Sequence, residues 1–139
     1  MSFEEKSTWV YAVIAVVLPI AYFAVVLPQL ATTPAADIDY QVPLLTVIGL
    51  AIGLAIVAAI VMSITAPDEA GKSDQRDKDV NRFGEYVAGI VLGVAAVVPF
   101  LLAIAEVEYF WIANTLYLAF ILSAVAGSVA KIVAYRRGL

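Results

Sequence analysis

Four long stretches of the chain carry no charge. They cover residues 7–36, 40–67, 86–105 and 109–130, and short charged clusters separate them. Ala, Val, Ile and Leu fill each stretch without strict alternation of apolar and polar positions, so the pattern is not that of a membrane β-strand. About 20 apolar residues in a helix cross the hydrocarbon core of a bilayer. A backbone facing lipid must also satisfy its own hydrogen bonds, which long helices do. The pattern therefore predicts helices at about 8–27, 43–66, 83–105 and 108–135, with a charged segment at 68–85 that runs on into the third helix.

Composition agrees with this. Of 139 residues, 63% are hydrophobic and 14% charged, against about 45–50% and 25% in soluble domains. The chain contains no Cys and no His. That excludes disulfides, thiolate nucleophiles, the usual zinc and haem ligand sets and His-based acid–base catalysis. No cofactor or metal is expected. A net charge of −4 argues against nucleic acid as a partner, because nucleic acid calls for a basic surface. The leading segment, Met1-Ser-Phe-Glu-Glu-Lys6, is acidic and precedes an apolar stretch longer than that of a signal peptide, so the first run is read as a span.

Charge then sets the orientation. Every base lies before the first run (Lys6), between the second and third (Lys72, Arg76, Lys78, Arg82), or at the end of the fourth (Lys131, Arg136, Arg137). The other two connections carry only Asp37 and Asp39, or Glu106 and Glu108. Four alternating spans put all the bases on one side, and the positive-inside rule makes that side cytoplasmic. Trp9, Tyr11, Tyr40, Tyr86, Tyr109, Trp111 and Tyr135 mark the ends of the runs, where amphipathic rings favour the interface. The expected fold is an all-α membrane protein, an antiparallel four-transmembrane-helix bundle with both termini cytoplasmic, lodged in a lipid bilayer.

Several finer features bear on function. Pro19 and Pro99 lie inside the first and third helices and are expected to kink them. These prolines, Phe3 with Phe83, and Glu5 with Glu85 recur at one common offset, as a duplicated helix pair would. Small residues spaced four apart, Gly49 with Gly53, Gly89 with Gly93 and Ser123 with Gly127, let helices approach closely. They serve packing within the bundle or a homodimer face. Mid-span polar groups are Thr46, Asn114, Thr115, Ser123 and Ser128, read as helix–helix hydrogen bonds, and no mid-span residue is ionisable. The acids at 37, 39, 106 and 108 are read as a solvated collar rather than a cation site. In the segment 68–85, Pro67 and Gly71 form the entry, Ser73 or Asp74 is the expected helix cap, and alternating charges suit pairing with a protein face. The candidate partner-binding residues are Asp74, Arg76, Asp77, Lys78, Arg82 and Glu85.

Phe3-Glu-Glu-Lys-Ser-Thr-Trp9, Asp74-Gln-Arg-Asp-Lys-Asp-Val-Asn-Arg-Phe-Gly-Glu-Tyr86, Phe110-Trp-Ile-Ala-Asn-Thr-Leu-Tyr117 and Gly127-Ser-Val-Ala-Lys-Ile-Val-Ala-Tyr-Arg-Arg-Gly138 resemble a family of small actinobacterial four-helix membrane proteins of unknown function. The family commonly carries Asp-Glu-Arg-Asp in the central loop, where this chain has Gln75. The resemblance implies a bacterial plasma membrane. Because members often accompany small helix-turn-helix regulators, it also implies a cytoplasmic protein partner.

The expectation is thus a non-enzymatic accessory or regulatory protein that binds a cytoplasmic or membrane partner through its charged face. The competing expectation is a small transporter or channel subunit active as an oligomer, which needs a wet path lined by Thr46, Asn114 or Ser123.

Overall fold

The computed structural model describes residues 2–68 and 72–138. Gly71, read above as part of the loop entry, lies outside them. Helices make up the fold, with no strand among the described residues. Four helical stretches are long and apolar enough to cross a membrane: Phe3–Ala31, Gln41–Thr65, Gln75–Ile104 and Tyr109–Arg137. The first comprises α1 (Phe3–Val26) and the 3-10 turn Leu27–Ala31, and a second such turn, Ala35–Asp37, follows. The second stretch is α2 (Gln41–Thr65) and the fourth is α5 (Tyr109–Arg137).

The third stretch is divided into α3 (Gln75–Ala95) and α4 (Val97–Ile104). Pro99 accounts for the break. It has no N–H to offer the carbonyl of Ala95, and its ring crowds that carbonyl, so α3 ends there and Ala96 bridges to the next helix. Pro19, by contrast, sits within an unbroken α1. Charged residues begin both odd-numbered spans: α1 starts at Phe3, ahead of the expected 8, and α3 starts at Gln75, ahead of 83.

The helices pack unequally. Helix α5 lies against α3, α1 and α4, whereas α2 packs chiefly against α1. The two helix pairs suggested by the repeated residues therefore have different surroundings. The first turns of α1 and α3 meet the last turn of α5 at what we call the charged end. The end of α1, the start of α2 and the start of α5 meet at the opposite, aromatic end. There Tyr22, Val26, Ile38, Tyr40, Val47 and Phe110 form the main buried cluster.

The outer surface is the reverse of a soluble protein's. Large apolar side chains such as Ile20, Val42, Ile64, Val94 and Phe100 are well over half exposed on the first three spans, and Phe120 and Val129 are about half exposed on the fourth. A soluble monomer rarely exposes a contiguous apolar patch beyond a few hundred Å². A belt of this extent is compatible with a multi-pass membrane protein.

Candidate functional site

At the charged end, the start of α3 is built by its own sequence. Asp74 has extended backbone and accepts a hydrogen bond from the Asp77 amide at 2.7 Å, while Oδ2 of Asp77 accepts from the Asp74 amide at 3.3 Å. This reciprocal capping box satisfies amides that would otherwise lack a partner at the helix start. Ser2 caps α1 in a similar way, accepting from the Glu5 amide at 3.2 Å.

The same Asp77 also joins three helices. Its Oδ1 accepts from the Tyr135 hydroxyl at 2.9 Å and from the Ser2 hydroxyl at 3.4 Å, and the residue is only 6% exposed. Arg76 donates through Nη2 to the backbone carbonyl of Tyr135 at 2.9 Å. That carbonyl belongs to the last turn of α5, where carbonyls lack helical donors and the helix dipole attracts a cation. The Arg136 guanidinium lies 5.5 Å from the centre of the Trp9 ring, joining α5 to α1.

This arrangement divides the six candidate partner-binding residues. Asp74 and Asp77 are engaged in the cap and the interhelical contact, and Arg76 holds α5. Lys78, Arg82 and Glu85 are exposed on the outer side of α3. Asp79 is exposed beside them and accepts from Gln75 at 3.1 Å. Sequence reasoning treated the six as one surface. Val80, fully buried, shows where the inward face lies: residues 77, 80 and 84 share one side of the helix.

Below this end, α3 and α5 approach closely. The Ser123 hydroxyl donates to the carbonyl of Ala88 at 2.8 Å. A Cβ on Gly127 would lie 3.0 Å from that of Ala88 and 3.1 Å from the carbonyl oxygen of Gly84. A Cβ on Gly84 would run into the aliphatic stem of Lys131. Among the candidate packing glycines, only Gly127 has this role within the chain. A Cβ on Gly49, Gly53, Gly89 or Gly93 would meet nothing within 4 Å. For the pair on α3 the reason is helical phase: 84 and 88 face α5, whereas 89 and 93, each five residues on, lie about 140° further round. Gly84 and Ala88, which make the contact, also stand four residues apart, a small-residue spacing that the sequence reading passed over in favour of the Gly–Gly pair beside it.

At the aromatic end Asn114 makes the helix–helix hydrogen bond expected of it, with a partner, Tyr22, that sequence reasoning did not name. The Tyr22 hydroxyl donates to Oδ1 of Asn114 at 2.7 Å, and the Asn114 amide donates to the carbonyl of Phe110 at 2.8 Å. Tyr22 and Tyr117 meet edge to face with centroids 5.5 Å apart, as do Tyr40 and Phe110 at 5.4 Å. The signal was present: a Tyr and an Asn, each inside an uncharged run, need polar partners and can supply them to each other.

The polar mid-span groups do not line a shared path. Asn114 and Ser123 are bonded as described. The Thr46 hydroxyl is on the exposed side of α2 and donates to Val42 of its own helix at 2.7 Å. Among the described residues, no buried side-chain nitrogen or oxygen lacks a partner. None of these residues forms a group of three or more acids that could hold a metal ion. A groove of about 410 Å³ between α1, α2 and α5 is walled by apolar side chains, Ala15, Ile48, Ala55 and Phe120 among them.

No protein-family model, curated protein or solved structure matches the chain.

Proposed function

We propose that the chain is a non-enzymatic accessory or regulatory protein of a bacterial plasma membrane, an antiparallel arrangement of four spans with its charged end in the cytoplasm. On this reading it binds a cytoplasmic or membrane protein partner through the exposed side of α3. One observation carries the proposal. The first turns of α3 hold themselves together and to α5 through Asp74, Asp77 and Arg76, which leaves Lys78, Arg82 and Glu85 directed outward. A charged helix turn that is folded and anchored, yet does not use these charges internally, presents a ready electrostatic surface. The resemblance to small actinobacterial membrane proteins supports the bacterial setting and the cytoplasmic partner.

The test is capture from native membranes in mild detergent, with bound proteins identified by mass spectrometry. Lys78→Glu combined with Arg82→Glu is expected to abolish capture of a stoichiometric partner. Raising salt should weaken wild-type capture, since exposed charges are screened beyond about 8–10 Å at physiological ionic strength. Capture that withstands the double charge reversal would remove this surface from the proposal.

A further inference from the structure

We infer that Asp77 is a clasp holding the first turn of α1, the charged start of α3 and the last turn of α5 together as one preformed platform. A partner would then dock onto a rigid surface rather than fold it on arrival. The docking half of this inference rests on the function proposed above. The clasp itself rests on geometry alone.

A carboxylate that is 6% exposed has lost nearly all its water, and that loss is tolerable only if hydrogen-bond donors replace the water. Three do so, each from a different place in the chain: the Tyr135 hydroxyl 58 positions away, the Ser2 hydroxyl 75 positions away and the local Asp74 amide. Hydrogen bonds to an ionised acceptor are roughly twice as strong as neutral ones. Withdrawing one donor leaves part of a buried charge unmatched, so the contacts support one another.

The start of α3 needs such a tether. From Gln75 to Glu85 it is mostly charged and polar, and only residues 77, 80 and 84 are buried. In proteins the stability of a helical segment comes mostly from packing of its buried face rather than from propensity. Val80 supplies an apolar anchor, and Asp77, one turn earlier, supplies the polar one. Arg76 adds a second bond to the same residue of α5, at the Tyr135 carbonyl. Tyr135 is thus held at both its side chain and its backbone by neighbouring residues of α3.

The experiment is amide hydrogen exchange on the full chain in lipid nanodiscs, without partner, comparing wild type with Tyr135→Phe and with Asp77→Asn. Tyr135→Phe removes only the hydroxyl and leaves the Arg76 bond to the backbone intact, so the fold is retained. Amides 79–84 are expected to exchange roughly tenfold faster in both variants, the factor that one charge-assisted hydrogen bond is worth. Amides 114–123 should be unchanged. Unchanged exchange at 79–84, or an equal rise in every helix, would overturn the clasp. The two readings also separate cleanly. Faster exchange at 79–84 with capture indifferent to Lys78→Glu and Arg82→Glu leaves the clasp standing and removes the partner surface. Capture that depends on those charges, with exchange unchanged, does the reverse.

Discussion

Single residues in this chain bear constraints that their sequence neighbours do not. Glu106 joins α4 to α5 with φ of 52°, the left-handed region that non-glycine residues avoid. The turn is a Schellman motif: the Glu106 amide donates to the carbonyl of Ala103 and the Val107 amide to that of Leu102, both at 3.1 Å. Glycine is the usual occupant of such a position, because a Cβ there costs roughly 1–2 kcal/mol. Part of that cost is offset by the greater freedom that glycine has in the unfolded chain. Glu106→Gly is therefore expected to stabilise the protein by roughly 0.5–1 kcal/mol, raising the thermal midpoint in detergent. A lowered midpoint would mean that the Glu106 carboxylate contributes more than its backbone strain costs. Tyr22 and Asn114 show the opposite case, two polar groups made compatible with an apolar interior because each satisfies the other.

At the scale of the helix, the existence of the four apolar stretches was legible in the sequence, because length and lack of charge are local properties. Which face each helix turns inward was not. Gly49-x-x-x-Gly53 and Gly89-x-x-x-Gly93 have the spacing of a packing seam, yet both pairs face away from the chain's own helices. The seam is formed instead by Gly84, Ala88, Ser123 and Gly127. Spacing identifies a stripe; only the rotation of the helix decides what that stripe meets. The same limit applied to the charged segment, where the spacing of 77, 80 and 84 marks an inward face only once a buried Val80 is known. Gly127→Leu should force α3 and α5 apart and cost roughly 1–3 kcal/mol, as overpacking does. Gly49→Leu should stay within about 0.5 kcal/mol, as substitutions away from packed features do. Unfolding by graded SDS would measure both. Equal effects at the two positions would show that Gly49 also lies in a packed contact, and a second copy of the chain would then be the first neighbour to look for by cross-linking.

For the whole molecule, the structure adds a spatial argument to the charge pattern. Ser2 meets Asp77, and Asp77 meets Tyr135, so three segments far apart in sequence gather at one end. Those segments hold Lys6, the bases between 72 and 82, and Arg136 and Arg137. Asp37, Asp39, Glu106 and Glu108 belong to the connections beside the aromatic cluster, at the other end. Lys and Arg in short loops hold their side of the membrane during insertion, whereas acids contribute little. On the function proposed above, this asymmetry puts the clasped end in the cytoplasm. The chain has no native Cys, so one introduced thiol reports its own location without background. In intact cells, a membrane-impermeant maleimide is expected to label Asp39→Cys but to reach Gln75→Cys only after permeabilisation. Both positions are exposed and lie outside the buried contacts, so lack of labelling reflects the membrane barrier rather than packing. The reverse pattern would invert the topology and turn Lys78, Arg82 and Glu85 to the outside, where a cytoplasmic partner could not reach them. Labelling of both in intact cells would place both ends on the same side and undo the four-span arrangement, because α2 alone separates the two positions.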